Sequence, residues 1–304
     1  RAFQFSIIKK IFIPKHIKIL ENEVFDICKN LEQVDFAPDS ELEIIKRKAF
    51  RLAPIEKISI PCHVKIIENE AFACEKLKHI EIPENSELEI IKQSAFSFSE
   101  SESFYIPSKL TVLEDGWCNQ LILDKITVSP DNPRYSMYED QLLIGKSSIE
   151  QENYDVLIFC PRTIEGKIKI PDFIEIIGPH AFENCKKIQE VEFSPDSKLL
   201  IIGNSSFSHV SIERISIPTK VTQICDQAFN CCENLKEIDI PTNSELEIIG
   251  ESAFIKTLIE SIYIPSNVTE LKKEFLSETP NLKSVSINSS NQLYSTCNEG
   301  KFII

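Results

Sequence analysis

The sequence predicts an α/β repeat fold: a right-handed, β-rich solenoid of about eleven stacked turns, with short helical turns on its convex side. Two recurring markers carry this reading. One is an Ala-Phe pair or close variant, and the other is an alternating apolar segment that ends in Pro. Regular recurrence of one short unit is the signature of stacked repeats, each burying its apolar face against its neighbours.

The first marker appears as Ala2-Phe3, Val24-Phe25, Ala49-Phe50, Ala71-Phe72, Ala95-Phe96 and Gly116-Trp117. It resumes as Ala181-Phe182, Ser206-Phe207, Ala228-Phe229, Ala253-Phe254 and Glu274-Phe275. Apart from one gap, successive aromatics lie 21 to 25 residues apart, which is the spacing of leucine-rich repeats. The second marker includes Ile58-Ser59-Ile60-Pro61, Ile80-Glu81-Ile82-Pro83, Ile215-Ser216-Ile217-Pro218 and Ile238-Asp239-Ile240-Pro241. Alternation with β-branched residues reads as a strand with one buried face. Pro removes the next ladder donor and ends the strand. A Val/Ile-x-x-Ile segment follows, as in Val64-Lys65-Ile66-Ile67. The segment around Ala-Phe, such as Glu68 to Cys74, is expected to form a turn of helix.

Two larger periods overlie this one. Phe25 to Phe72 and Phe182 to Phe229 are each 47 residues, so turns alternate between two types. Phe25, Phe50 and Phe72 also map onto Phe182, Phe207 and Phe229 with a shift of 157. The expected organisation is one solenoid over 1–304, with a first block at 1–128, an inserted hairpin-bearing repeat at 129–161 and a second block at 162–304. The hairpin is expected to pair Leu142-Leu143-Ile144 with Val156 to Phe159 and to project from the stack. Its opening, Ser129 to Ser136, recurs at Asn288 to Ser295. The chain starts without Met and stops after Phe302-Ile303-Ile304, and so reads as a fragment.

The pattern Ile-x-Ile-Pro-x-x-Val-x-x-Ile-x-x-x-Ala-Phe-x-x-Cys-x-x-Leu resembles the BspA-like leucine-rich repeats of bacterial and protist surface proteins. Residues 59–82 follow it nearly throughout. The resemblance implies a leucine-rich-repeat solenoid, and a cell-surface or secreted adhesin or antigen that binds host or matrix proteins. Such repeats are scaffolds, so a function has to be argued from exposed residues.

Composition narrows the function classes. The chain carries 47 acidic against 33 basic residues, a net charge of -14. That balance argues against nucleic-acid phosphate and against contact with an anionic membrane. No two of its seven glycines lie within ten residues of each other, which leaves no Gly-rich nucleotide loop. There is no GxSxG, HExxH or CxxC, and the five His are scattered. The expectation is therefore a non-enzyme with no catalytic residues, no metal, no cofactor and no small-molecule substrate.

Cys28, Cys74, Cys185 and Cys232 follow the repeat aromatic on every second turn. At a strand spacing of ~4.8 Å such neighbours are roughly 10 Å apart, too far for a disulfide. They read as small buried apolar residues, while one disulfide among Cys62, Cys118, Cys160, Cys225, Cys231 and Cys297 stays open. Sequons occur at Asn204, Asn267 and Asn288; they matter only for a secreted chain.

The candidate binding face follows from strand alternation. The residue between two inward positions must point outward. In stacked order these are Phe12, Asp35, Ser59, Glu81, Tyr105 and Thr127, then Lys169, Glu192, Ser216, Asp239, Tyr263 and Ser286. They would tile a concave sheet. The ligand-binding residues expected on it are Asp35, Glu81, Tyr105, Glu192, Asp239 and Tyr263, and the expected partner is a protein. The alternative is an intracellular scaffold that uses the same face.

Overall fold

A computed structural model of the chain describes residues 1–117, 119–297 and 302–303. The contacts divide it into two compact units, 1–151 and 152–304. Each is a β-solenoid of stacked coils, and the described residues contain no helix.

Five coils of the first unit each contribute a broader and a narrower strand, and a sixth contributes a broader strand before the hairpin. The broader strands are Lys10–Ile13, Gln33–Phe36, Lys57–Ser59, His79–Glu81, Glu100–Ile106 and Ile122–Val128. Lys10–Ile13 pairs in parallel with Gln33–Phe36, and the other four form a parallel sheet in chain order. The narrower strands, Ile19–Leu20, Ile44–Ile45, Ile66–Ile67, Ile90–Ile91 and Val112–Leu113, form a five-stranded parallel ladder. Pro61 stands at the bend between the two strands of its coil, where its carbonyl accepts the Val64 amide at 3.1 Å.

The repeat pattern is the list of residues that face inward. In one coil, Ile58, Ile60, Val64, Ile67, Ala71, Phe72, Cys74 and Leu77 are all buried. The rings form a column through Phe3, Phe25, Phe50, Phe72 and Phe96. Successive centroids are 5.4, 5.3, 5.2 and 5.6 Å apart, with planes within 14°. Phe104 then meets Phe96 edge-on at 5.5 Å, and Trp117 lies 5.7 Å beyond it. In the second unit Phe182, Phe207, Phe229 and Phe254 stack at 4.9, 5.2 and 5.4 Å.

The expected helical turns are not formed, and the hydrogen bonds give the reason. The amides of Glu23, Phe25 and Ile27 donate to Arg47, Ala49 and Arg51 of the next coil, at 2.9, 2.8 and 2.8 Å. Those of Val24, Asp26 and Cys28 donate only three residues back. A helix needs every amide to donate four residues back. Here alternate amides are used to join coils. The segment achieves this by placing Glu23 and Ile27 in left-handed conformation, at φ 59° and 58°. Lys48 and Leu52, Ser205 and His209, and Ser252 and Lys256 repeat the device. Left-handed conformation costs a non-glycine residue about 1–2 kcal/mol, offset by the inter-coil bonds.

In the second unit the narrow ladder runs through Val156–Phe159, Ile176–Ile177, Ile201–Ile202, Gln223–Ile224, Ile248–Ile249 and Glu270–Leu271. The broader strands pair two by two: Gly166–Ile170 with Ile188–Phe193, Arg214–Ser216 with Glu237–Asp239, and Ser261–Ile264 with Ser284–Ile287. Gly203 and Gly250 follow narrow strands at a close approach between coils. A Cβ at Gly203 would lie 2.5 Å from the Ile177 carbonyl oxygen, and one at Gly250 2.4 Å from the Asp226 nitrogen.

Two readings of the repeat boundaries change. The Phe254 amide donates to the Phe275 carbonyl, where the Phe229 amide donates to Ala253. Phe275 therefore occupies the alanine slot, and Leu276 occupies the ring slot. In the first unit the antiparallel hairpin pairs Tyr135–Tyr138 with Leu142–Gly145, with Glu139 and Asp140 left-handed at its tip. Leu142, Leu143, Ile144, Val156, Leu157 and Phe159 are buried, so these strands belong to the core and do not project. Only the polar run 147–153 between them is exposed.

Candidate functional site

Outward positions on the broad strands lie in register, as alternation requires. Phe12 is opposite Asp35, Ser59 opposite Glu81, and Tyr105 opposite Thr127. His79 pairs with Ser103, which puts Glu81 and Tyr105 on one row. In the second unit Lys169 is opposite Glu192, Ser216 opposite Asp239, and Tyr263 opposite Ser286. The inward neighbours are the buried residues Ile58, Ile80, Phe104, Ile215 and Ile262. Their packing holds the outward side chains in place.

Every expected ligand-binding residue is at the surface. Asp35, Glu81 and Asp239 are exposed, while Tyr105, Glu192 and Tyr263 are half-buried. Asp35 accepts the Gln33 side-chain amide at 2.7 Å. Glu81 pairs with Lys57 at 2.6 Å and accepts the Ser59 hydroxyl. These two donors, Lys57 first, hold its carboxyl below the usual glutamate range. Glu192 pairs with Lys167 at 2.5 Å, and that bond raises the Lys167 ammonium above its ordinary value. The Tyr263 hydroxyl accepts the Asn288 side-chain amide at 2.7 Å. That bond ties up the sequon nitrogen of Asn288, and the Asn267 side-chain nitrogen donates to the Ser244 carbonyl at 3.1 Å, while Asn204 is exposed.

The ion pairs run between neighbouring coils and are solvated, so each contributes ~0–1 kcal/mol. They leave the face as charge in register, with Tyr rings set among carboxylates and hydroxyls. The eight cysteines whose side chains are described are free thiols; Cys118 and the Cys297 side chain lie outside the described residues. Among the described residues no group of His, Cys, Asp and Glu could hold a metal. Likewise no described helix is long and apolar enough to cross a membrane.

Two surfaces escaped the sequence reading. The narrow ladder of the first unit turns Ile19, Ile44, Ile66, Ile90 and Val112 partly outward. The doubled Ile-Ile at 44–45, 66–67 and 90–91 was the available signal, since only the second of each pair is buried. In the second unit, segments 193–198 and 216–220 with Glu245 line an open cleft of about 590 Å³. Its rim carries Asp196, Lys198, Lys220 and Glu245, a mixed set of two acids and two bases.

Repeat, strand pairing and ring column together define the class: a leucine-rich-repeat solenoid. The family described as BspA type Leucine rich repeat region matches residues 1–120 and 159–298 in six copies. The chain belongs to that family. No curated protein matches it in sequence. Among solved structures it is similar to the pneumococcal vaccine antigen PcpA, with 24% identity and a TM-score of 0.82 over 93% of this chain and 69% of that one. It is also similar to a leucine rich cell surface protein from Faecalibacterium prausnitzii. The identity there is 21% and the TM-score 0.65, over 94% of this chain and 80% of that one. A third is a leucine-rich repeat protein from Eubacterium ventriosum, at 18% and 0.73, over 92% and 72%. At these identities the likeness is one of fold.

Proposed function

We propose that this chain is a non-catalytic binding module that takes a protein ligand on the outward rows of its broad strands. The observation that carries the reading is the order acid, then Tyr, on adjacent coils of one row. It occurs as Glu81 and Tyr105 in the first unit and as Asp239 and Tyr263 in the second. Tyr is enriched among interface hot spots, and carboxylates in register with it favour a basic patch on the partner.

The reading extends to a cell-surface or secreted adhesin or antigen whose ligand is a host or matrix protein, and to a concave form for the strand face. Family membership supports this, as do the words "vaccine antigen" and "cell surface protein" attached to two structural relatives. The test is a Tyr105→Ala, Tyr263→Ala double variant, shown to be folded by circular dichroism and used to capture partners from host-cell and matrix extracts. Wild type should retain partners that the double variant loses, and retention should weaken with added salt. Equal retention by both would reject the strand face as the binding surface.

The free thiols favour a second reading, an intracellular scaffold that uses the same face. Counting thiols on protein purified from its own cells separates the two. A full set of reduced cysteines supports the interior.

A further inference from the structure

The repeat places its cysteine in a fixed relation to the coil before it. The thiol of Cys28 donates to the Phe3 carbonyl at 3.0 Å, that of Cys74 to Phe50 at 3.1 Å, and that of Cys232 to Phe207 at 2.9 Å. Each repeat thiol therefore faces the residue in the ring slot one coil earlier. Cys185 obeys the same rule, with its sulfur 3.7 Å from the carbonyl oxygen of Cys160. Here the ring slot holds a second cysteine. The Cys160 amide donates to Ala181, as the other ring-slot amides donate to the alanine slot of the next coil.

A third residue completes the cluster. Arg162 is 7% exposed, and its guanidinium lies over the Phe159 ring at 4.3 Å. Its Nη1 donates to the carbonyls of Cys160 and Ala181, both at 2.9 Å, and to the Cys185 sulfur at 3.2 Å. Two buried thiols and a buried cation are thus held together by the same coil geometry that isolates the other repeat cysteines.

We infer that Cys160 and Cys185 are a peroxide-oxidisable dithiol, with Cys185 the attacking sulfur and Cys160 the resolving one. The thiolate of Cys185 attacks one oxygen of hydrogen peroxide. The O–O bond breaks, hydroxide leaves, and Cys185 becomes a sulfenic acid. The Cys160 sulfur then attacks that sulfur. The S–S bond forms, the S–O bond breaks, and the departing hydroxide leaves as water with the Cys160 proton. Two thiols lose two electrons in all, and one peroxide is reduced to water. The oxidant has the size of water, which suits a buried site. The product is a staple between adjacent coils at the start of the second unit.

Electrostatics assign the roles. Burial raises the Cys185 thiol, but the neighbouring Cys160 thiol and the positive charge of Arg162 outweigh it and hold Cys185 below the ordinary thiol value. Burial, and then the Cys185 sulfur beside it, push Cys160 well above the ordinary thiol value; its thiol donates to the Pro161 carbonyl at 3.6 Å. Cys74 and Cys232, in the same slot without an arginine, are raised to about 12 by burial. Glu183, which lies 3.1 Å from His180, acts on Cys185 as well and opposes its ionisation. The following coil meets this segment through Ser208, which accepts the Asn184 amide; the nearby His209 is solvent-exposed.

Exposure alone would send an oxidant elsewhere, to the half-buried thiols of Cys62, Cys225 and Cys231. The experiment exposes the folded chain to hydrogen peroxide, alkylates it in denaturant and maps the cysteine peptides. The expected result is one linkage, Cys160 to Cys185, formed before oxidation of the half-buried thiols. With Cys160→Ser, Cys185 should instead be captured by dimedone as a sulfenic acid. With Arg162→Met, the rate at pH 7 should fall at least tenfold and recover at higher pH. Should Arg162→Met fail to fold, the Cys160→Ser trapping decides alone. Oxidation confined to Cys62, Cys225 and Cys231, or no sulfenic acid at Cys185, overturns the inference.

Discussion

The Tyr135 hydroxyl accepts the amide of Leu113 at 3.0 Å and so caps the last narrow strand of the first unit. It also donates to the Thr111 carbonyl. Asn132 anchors the turn that delivers it, donating to Pro107 and Leu110 and accepting from the Arg134 and Tyr135 amides. The second unit reproduces the arrangement, with the Tyr294 hydroxyl accepting the Leu271 amide at 3.1 Å and Asn291 in the place of Asn132. The recurring opening at 129–136 and 288–295 is therefore an edge cap. Its conserved spacing within the chain reflects the open end of a ladder.

Tyr135→Phe should cost about 1–3 kcal/mol, because it leaves an edge amide without its acceptor in a partly buried place. Urea unfolding measures it. A change below about 0.5 kcal/mol would show that water substitutes for the hydroxyl.

Phe72→Ala should cost about 3–5 kcal/mol, the range for truncating a buried ring. The ring stacks between Phe50 and Phe96, at 5.2 and 5.6 Å. A loss under 1 kcal/mol in equilibrium unfolding would contradict the column as the core.

Alkaline pH should destabilise the fold through its buried thiols. Cys74 and Cys232 stand at about 12 in the folded state against 9.0 for an ordinary thiol. Unfolding lets them ionise, so their contribution is present below pH 9 and is lost as pH rises from 9 toward 12. Urea midpoints at pH 8, 9 and 10 test this. A Cys74→Ala, Cys232→Ala variant should lose less stability between pH 9 and 10 than wild type; equal slopes would rule the thiols out.

The exposed run 147–153 should tolerate replacement by a short Gly-Ser turn, with little change in the unfolding midpoint. Loss of cooperative unfolding would mean that this run is part of the folded core.

Much of this architecture could be read in the sequence. A short unit that repeats its apolar residues at fixed offsets must bury them together, so Ile58, Ile60, Val64, Ile67, Phe72 and Leu77 could be assigned inward before any coordinates. Strand alternation likewise obliges Asp35, Glu81, Tyr105, Glu192, Asp239 and Tyr263 to lie outward. What alternation could not supply was the use made of amides. The choice between a helical turn at Glu23 to Cys28 and a left-handed turn bonded to the next coil is decided by the carbonyls of Arg47, Ala49 and Arg51. Those carbonyls are distant in sequence, and local propensity carries no trace of them. The same holds for Cys160, Arg162 and Cys185. Cys160 stands in the ring slot without the aromatic that marks it elsewhere, and Cys160 and Arg162 meet Cys185 only because one coil lies on the next. The sequence by itself determined periodicity, and with it which residues face the core. Tertiary structure decided which groups meet between coils, because that depends on the register of backbones brought together only by stacking.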